Sequence, residues 1–222
     1  MSALLAILAR DVRLGFAAGG GAAQTLIFFF LTIVLFALAV GPDAASLKAV
    51  AAPILWTAAL LAAFLSLDRL FQADFEDGSL EIIAQRTPTF GLLVLIKAAA
   101  HWLTTAAPLI VAAPIAGLLL NLPGEGYWPL LATLILGTPA LSLIGAGAAA
   151  LTFPLRRAGV LTTILVGPLY APSLIFGVMA AEAGAVGDPL FQPTLLFLCA
   201  ASLLALITAP LAGGAGLRLN LS

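Results

Sequence analysis

The chain has 222 residues, 63% of them hydrophobic and only 9% charged, and a mean hydropathy of +1.18. Soluble domains carry about 25% charged residues, so a water-soluble enzyme is excluded. The nine Lys and Arg, scattered against ten Asp and Glu, form no basic patch for nucleic acid.

A bilayer is the environment this composition fits, and the N-terminal segment is read in that setting. At about 100° per residue, Leu4, Leu5, Leu8, Val12 and Phe16 fall on one arc with Arg10 and Arg13 opposite. That pattern predicts an amphipathic helix lying in the inner interface; the alternative is a frayed extension of the first span. A secretory leader is not expected, because the cations follow a short, interrupted apolar run. Gly19, Gly20 and Gly21 would let the chain turn into the membrane.

A span needs about 20 mostly apolar residues. Six are predicted: Ala22–Val40, Ala49–Leu67, Leu92–Leu120, Tyr127–Leu151, Val160–Ala181 and Thr194–Ala212. With the N-terminus inside, the inner segments hold Arg10, Arg13, Arg69, Arg86, Arg156, Arg157 and Arg218. The outer loops hold Lys48 alone, beside Asp43, Glu125, Glu182 and Asp188. Cations concentrate on the cytoplasmic side of membrane proteins, so both termini are expected there.

Between the second and third spans lies the one long polar segment, Asp68–Pro88, on the expected cytoplasmic side. It holds Asp68, Asp74, Glu76, Asp77 and Glu81, half of the chain's ten acids, against Arg69 and Arg86. An anionic inner leaflet would repel it. It also carries Leu70, Phe71, Phe75, Leu80, Ile82 and Ile83, more large apolar groups than a solvated loop needs. Asp77 or Ser79 is suited to cap a short helix starting near Leu80 that must stop before Pro88. Such a helix either docks in a groove on a soluble partner or packs back under its own bundle.

The third span is longer than a bilayer requires. Counting back about 20 residues from Leu120 reaches His101, which puts Lys97 at the inner interface with its stem free to snorkel and Trp102 in an aromatic belt. Ligation of a haem iron by His101 is the alternative. Prolines 108, 114, 139, 168 and 172 bend the third to fifth spans. Gly137, Gly145 and Gly147 form a small-residue face in the fourth, for packing within the bundle or across a homodimer seam. No ionisable group is expected near the middle of a span, which weighs against an ion-coupled carrier. Cys199 stands alone, and one histidine does not make a metal site. Neither Lys48 nor Lys97 follows a phosphate-binding GxxxxG pattern, so any ATP must be bound by another polypeptide.

Five stretches together resemble the haem exporter protein B family of cytochrome c maturation: the start with Arg10 and Arg13, SLDRLFQADFEDGSLE at Ser66–Glu81, KAAAHWL at Lys97–Leu103, GTPALSLIG at Gly137–Gly145 and GPLYAPSLIFG at Gly167–Gly177. The resemblance runs essentially end to end. It implies an all-α integral membrane protein of the bacterial inner membrane, one permease domain over residues 1–222. That domain has six transmembrane helices after an interfacial helix, and a cytoplasmic coupling helix between the second and third spans. It further implies a non-catalytic subunit working with a cytoplasmic ABC ATPase, a haem-handling membrane protein, a small single-span subunit and a second copy of itself, with haem as the ligand handled. Hydrolysis on the ATPase would be linked to release of the haem-loaded periplasmic chaperone. The coupling loop would comprise Arg69, Phe71, Asp74, Phe75, Glu76, Asp77, Gly78, Leu80 and Glu81; Lys97, His101 and Trp102 would be interfacial or haem-proximal. The alternatives are a stand-alone channel or carrier for a small hydrophobic solute and a non-transporting scaffold.

Overall fold

The computed structural model describes residues 3–17, 21–67, 69–155 and 158–221; Gly19, Gly20, Asp68, Arg156 and Arg157, named above, lie outside them. The described residues form helices: α1 (Ala3–Phe16), α2 (Gly21–Val40), α3 (Ala44–Leu67), α4 (Arg69–Glu76), α5 (Ser79–Gln85), α6 (Phe90–His101), a π-helical turn Trp102–Ala106, α7 (Ala107–Leu119), α8 (Gly124–Thr152), α9 (Ala158–Ala185) and α10 (Phe191–Leu221). Among them, six helical stretches are long and apolar enough to cross a membrane, with α6, the π-turn and α7 together making the third.

Helix ends follow local chemistry. The second span begins five residues earlier than expected because Asp43 accepts a hydrogen bond from the Ser46 N–H at 2.8 Å, an N-terminal cap. At the far end of α7 the Leu122 N–H reaches back to the Gly117 carbonyl at 2.9 Å, and Asn121 takes a left-handed φ of 53°. The last helix runs nine residues past its predicted end at Ala212. Gly213, Gly214 and Gly216 read as a break in the sequence, yet each lets a neighbour approach. Gly213 lies against Val94 and Gly147, Gly214 against Gly91, and Gly216 against Leu151. In lipid, close packing of this kind is what drives helix association.

The bundle is built around α8, the most buried span, which packs along α9 and α10 and also meets α3 and α6. Its glycines explain the position. Gly137 leaves room for Trp56 and Leu198, Gly145 for Leu67 and Tyr170, and Gly147 for Ala209. The Trp56 indole also fills the space beside Gly177 of α9, and its N–H donates to Thr133 Oγ1 at 3.2 Å. Tyr170 donates to the Leu141 carbonyl at 2.5 Å. The small-residue face of the fourth span is therefore occupied within the bundle, and a homodimer seam on that face is ruled out.

At the end bearing Arg13, Arg69, Arg86 and Arg218, a second apolar cluster joins α1, α4, α5, α6, α8 and α10 through Ile7, Phe71, Leu80, Leu93, Phe153 and Leu217. Here α1 departs from its predicted arc. Ile7 is buried and Leu4, Leu8 and Val12 partly so, whereas Leu5 and Phe16 are turned outward at 54% and 57% exposure. Close packing on the third span, rather than on a flat interface, sets the buried stripe.

Candidate functional site

The polar segment folds as a helical hairpin. After α4 the chain turns at Asp77 and Gly78, where φ is +74°, a conformation glycine adopts without a Cβ penalty. Asp77 Oδ1 accepts from the Ser79 N–H at 2.8 Å, a turn that leads into α5; the N-cap itself is Gly78, not the Asp77 or Ser79 that the sequence suggests. The Ser79 hydroxyl and N–H hold the Asp77 carboxyl below its ordinary value. α5 stops before Pro88: the Thr87 hydroxyl donates to the Ile83 carbonyl at 2.8 Å, and Thr89 then caps α6 through the Leu92 N–H.

The hairpin has two faces, and the nine residues assigned to a coupling loop divide between them. Phe71, Leu80 and Asp74 point inward, at 0%, 1% and 7% exposure, with Ile83 beside them. Arg69, Phe75, Glu76, Asp77, Gly78 and Glu81 are exposed, as is Ile82. Phe75 stands edge-on to Phe153 with ring centroids 5.1 Å apart, which leaves its other side uncovered. Packing under the bundle and exposure are thus properties of opposite sides of one element.

Asp74 belongs to a cluster of four charges in which Asp11, Asp74 and Lys97 are largely enclosed and Arg10 is half-buried. Arg10 Nη2 bonds Asp74 Oδ1 and Asp11 Oδ1, each at 2.7 Å. Lys97 Nζ contacts Asp11 Oδ2 at 2.9 Å and Asp74 Oδ2, and it lies 5.8 Å from the Phe71 ring centroid. Two cations and two carboxylates give a neutral set, the condition under which charges are tolerated away from water. Burial pulls the Arg10 guanidinium down, but the Asp11 and Asp74 carboxylates outweigh it and hold the group above its ordinary value. Two expectations are corrected. Lys97 does not snorkel, being 4% exposed and ion-paired, and Arg10 faces the bundle instead of standing opposite the packed side.

Next to this cluster, His101 is enclosed. Its Nε2 meets Ser66 Oγ at 2.8 Å and its Nδ1 meets Ser142 Oγ at 2.9 Å, while Ser66 also touches Thr105 at 3.1 Å. Both ring nitrogens have partners, an arrangement that does not fit an axial haem ligand. Trp102 does not sit in an aromatic belt either; its N–H donates to Thr138 Oγ1 of α8 at 3.0 Å. The π-turn that follows has a local cause. A proline ring collides with the carbonyl four residues back, here that of Thr104 below Pro108, and the wider turn relieves the crowding. A cleft of about 280 Å³ opens between α1 and this region, bordered by Arg10, Leu14, Arg69, Leu70, Lys97 and Thr104.

Sequence reasoning missed Asp11, Ser66, Thr138 and Ser142. For Asp11 a signal was present: it is the one carboxylate of α1, directly beside Arg10, with which it pairs.

Comparison with known proteins adds the following. Residues 2–220 match the family model described as CcmB protein. Heme exporter protein B of Paracoccus denitrificans is 51% identical over 217 residues, covering 97% of this chain and 99% of that protein. The protein of the same name from Bradyrhizobium diazoefficiens is 47% identical over 218 residues, covering 98% of each. Its Escherichia coli K12 namesake is 38% identical over 179 residues, 81% of each. With the match spanning nearly every residue, the chain belongs to the CcmB protein family.

Proposed function

We propose that this chain is the non-catalytic membrane subunit of an ABC-type haem exporter serving cytochrome c biogenesis, and that the exposed side of the α4–α5 hairpin docks a separate ATPase. The observation that carries the reading is the hairpin's division into a seated side and a free side. Phe71, Leu80 and Ile83 anchor it, while Phe75 and Ile82 stand out at 42% and 58% exposure among Glu76, Asp77 and Glu81. Apolar knobs on a short helix are the usual currency of helix-in-groove recognition, and the carboxylates favour a basic rim on the partner. The name carried by the relatives, heme exporter protein B, supports haem export as the process served.

In this reading the chain is a single permease domain of the bacterial inner membrane, and the arginine-bearing end, with both termini and the hairpin, faces the cytoplasm. The haem-handling membrane protein, the small single-span subunit and a second copy of this chain complete the complex. ATP hydrolysis on the partner drives release of the haem-loaded periplasmic chaperone, and the membrane subunit transmits the ATPase movement without chemistry of its own.

Purification of the tagged chain in mild detergent, after co-expression with the ATPase, tests this directly. Phe75→Asp, Ile82→Asp and Asp77→Lys should each accumulate normally and lose the ATPase. Retention of the ATPase by all three would overturn the docking assignment.

A further inference from the structure

Asp74 lies on the hairpin but not on its free side, and this separates two roles that the sequence assigns to one loop. Its carboxylate is 9% exposed and is gripped from two directions, by Arg10 of α1 and by Lys97 of the third span. The Ser79 hydroxyl, 3.2 Å from Oδ1, ties the start of α5 to the same carboxylate. One carboxylate thus joins both arms of the hairpin to two other elements.

The two elements are held in different ways. α6 is wedged on α10: a Cβ on Gly91 would come within 3.0 Å of the Pro210 carbonyl, and one on Gly214 within 2.9 Å of the Gly91 nitrogen. α1 lies on the third span through Ile7 and the Asp11–Lys97 ion pair, and near its end Gly15 sits against the π-turn. A Cβ there would fall 2.5 Å from Thr104 Cγ2. Thr104 is inside the π-turn, and its hydroxyl donates to the carbonyls of Ala100 at 2.9 Å and His101 at 3.4 Å. The hydroxyl ties residue 104 to the turn before it, and π-helical turns inside α-helices are frequent at functional sites. Anchor, strap and π-turn follow one another: Lys97 on α6, α1 from Arg10 to Gly15, and Thr104.

We propose that Asp74 is a positioning residue, which never touches the ATPase but converts hairpin displacement into movement of α1 against the π-turn of the third span. Resting on the docking assignment above, this predicts that binding and transmission are separable by mutation. The strap passes motion from the hairpin through Arg10 to Gly15 and Thr104, beside the hydroxyl-bonded His101. A merely stabilising ion cluster would have no such directional consequence.

The test uses the complete complex with Cys199→Ala and Thr104→Cys, and three readouts: co-purified ATPase, cytochrome c yield, and the labelling rate of residue 104 with and without ATP. In the Asp74 parent, labelling should change with nucleotide. Asp74→Asn should retain the ATPase, lose the nucleotide dependence of labelling and lower cytochrome c yield roughly tenfold, a normal size for coupling between sites. Asp77→Lys should instead lose the ATPase itself; if it, Phe75→Asp and Ile82→Asp all retain it, the docking reading fails while the Asp74 result still stands on its own readouts. Loss of the ATPase in Asp74→Asn would overturn the inference, as would unchanged labelling and yield. If Asp74→Asn does not accumulate, Arg10→Gln decides, because it leaves Lys97 on both carboxylates and cuts only the direct link from Asp74 to α1. Retained ATPase with a lost labelling response supports the strap, and an unchanged labelling response or a lost ATPase overturns it.

Discussion

Four side chains, Arg10, Asp11, Asp74 and Lys97, carry most of the chemistry at the arginine-bearing end. Replacing Lys97 by Met leaves two buried carboxylates facing one guanidinium. Breaking a buried pair in this way costs about 3–5 kcal/mol, so thermal unfolding in detergent should shift markedly downward, which light scattering on heating would record. Asp77 behaves differently because it is exposed. Its depressed carboxyl stabilises the turn fully above the ordinary value and loses that contribution only as pH falls through its lower folded value. The Asp77 carboxyl carbon shift should therefore be flat from about pH 8 to pH 5 and move only in stronger acid. Length counting put Lys97 at the inner end of its span, but it could not show that the side chain is enclosed there instead of snorkelling. Residues Phe90–Leu119 form a 30-residue stretch, about 45 Å long, so the surplus over a bilayer thickness lies on the Lys97 side and is enclosed by other helices. Pairing partners 23 and 86 residues away in the chain leave no local trace.

Among the elements, short-range signals were reliable and glycine was ambiguous. The turn at Asp77, the stop before Pro88 and the starts of the spans follow from capping and proline chemistry that acts over a few residues. Gly213 and Gly214, by contrast, read as a terminus and proved to be contact points, because only the neighbouring helix decides which a glycine will be. The same dependence makes Gly177 a sharp probe. A Cβ there meets the Trp56 indole, which is wholly buried and hydrogen-bonded. Gly177→Ala should destabilise the bundle by about 1–3 kcal/mol through overpacking, lowering the melting temperature in detergent while leaving ATPase co-purification intact. The π-turn escaped sequence reading altogether; Pro108 announces a bend without saying that the turn before it widens.

For the molecule as a whole, the six-span architecture was legible because hydropathy over some 20 residues overwhelms every competing signal. Which span becomes the centre was not written in hydropathy; α8 occupies it because its small residues let α3, α9 and α10 approach. Orientation rests on cation placement and is open to direct measurement. In a Cys199→Ala background, Val186→Cys, 80% exposed at the other end, should react with an impermeant thiol reagent on intact cells. Ile82→Cys, 58% exposed, should react only after lysis. The charge quartet also constrains how the chain can be made. Arg10, Asp11 and Asp74 all leave the ribosome before Lys97, so until that lysine arrives Arg10 alone must serve two carboxylates. The hairpin can settle against the bundle only when the third span has entered the membrane, so that newly inserted, half-finished chains leave its seated side uncovered.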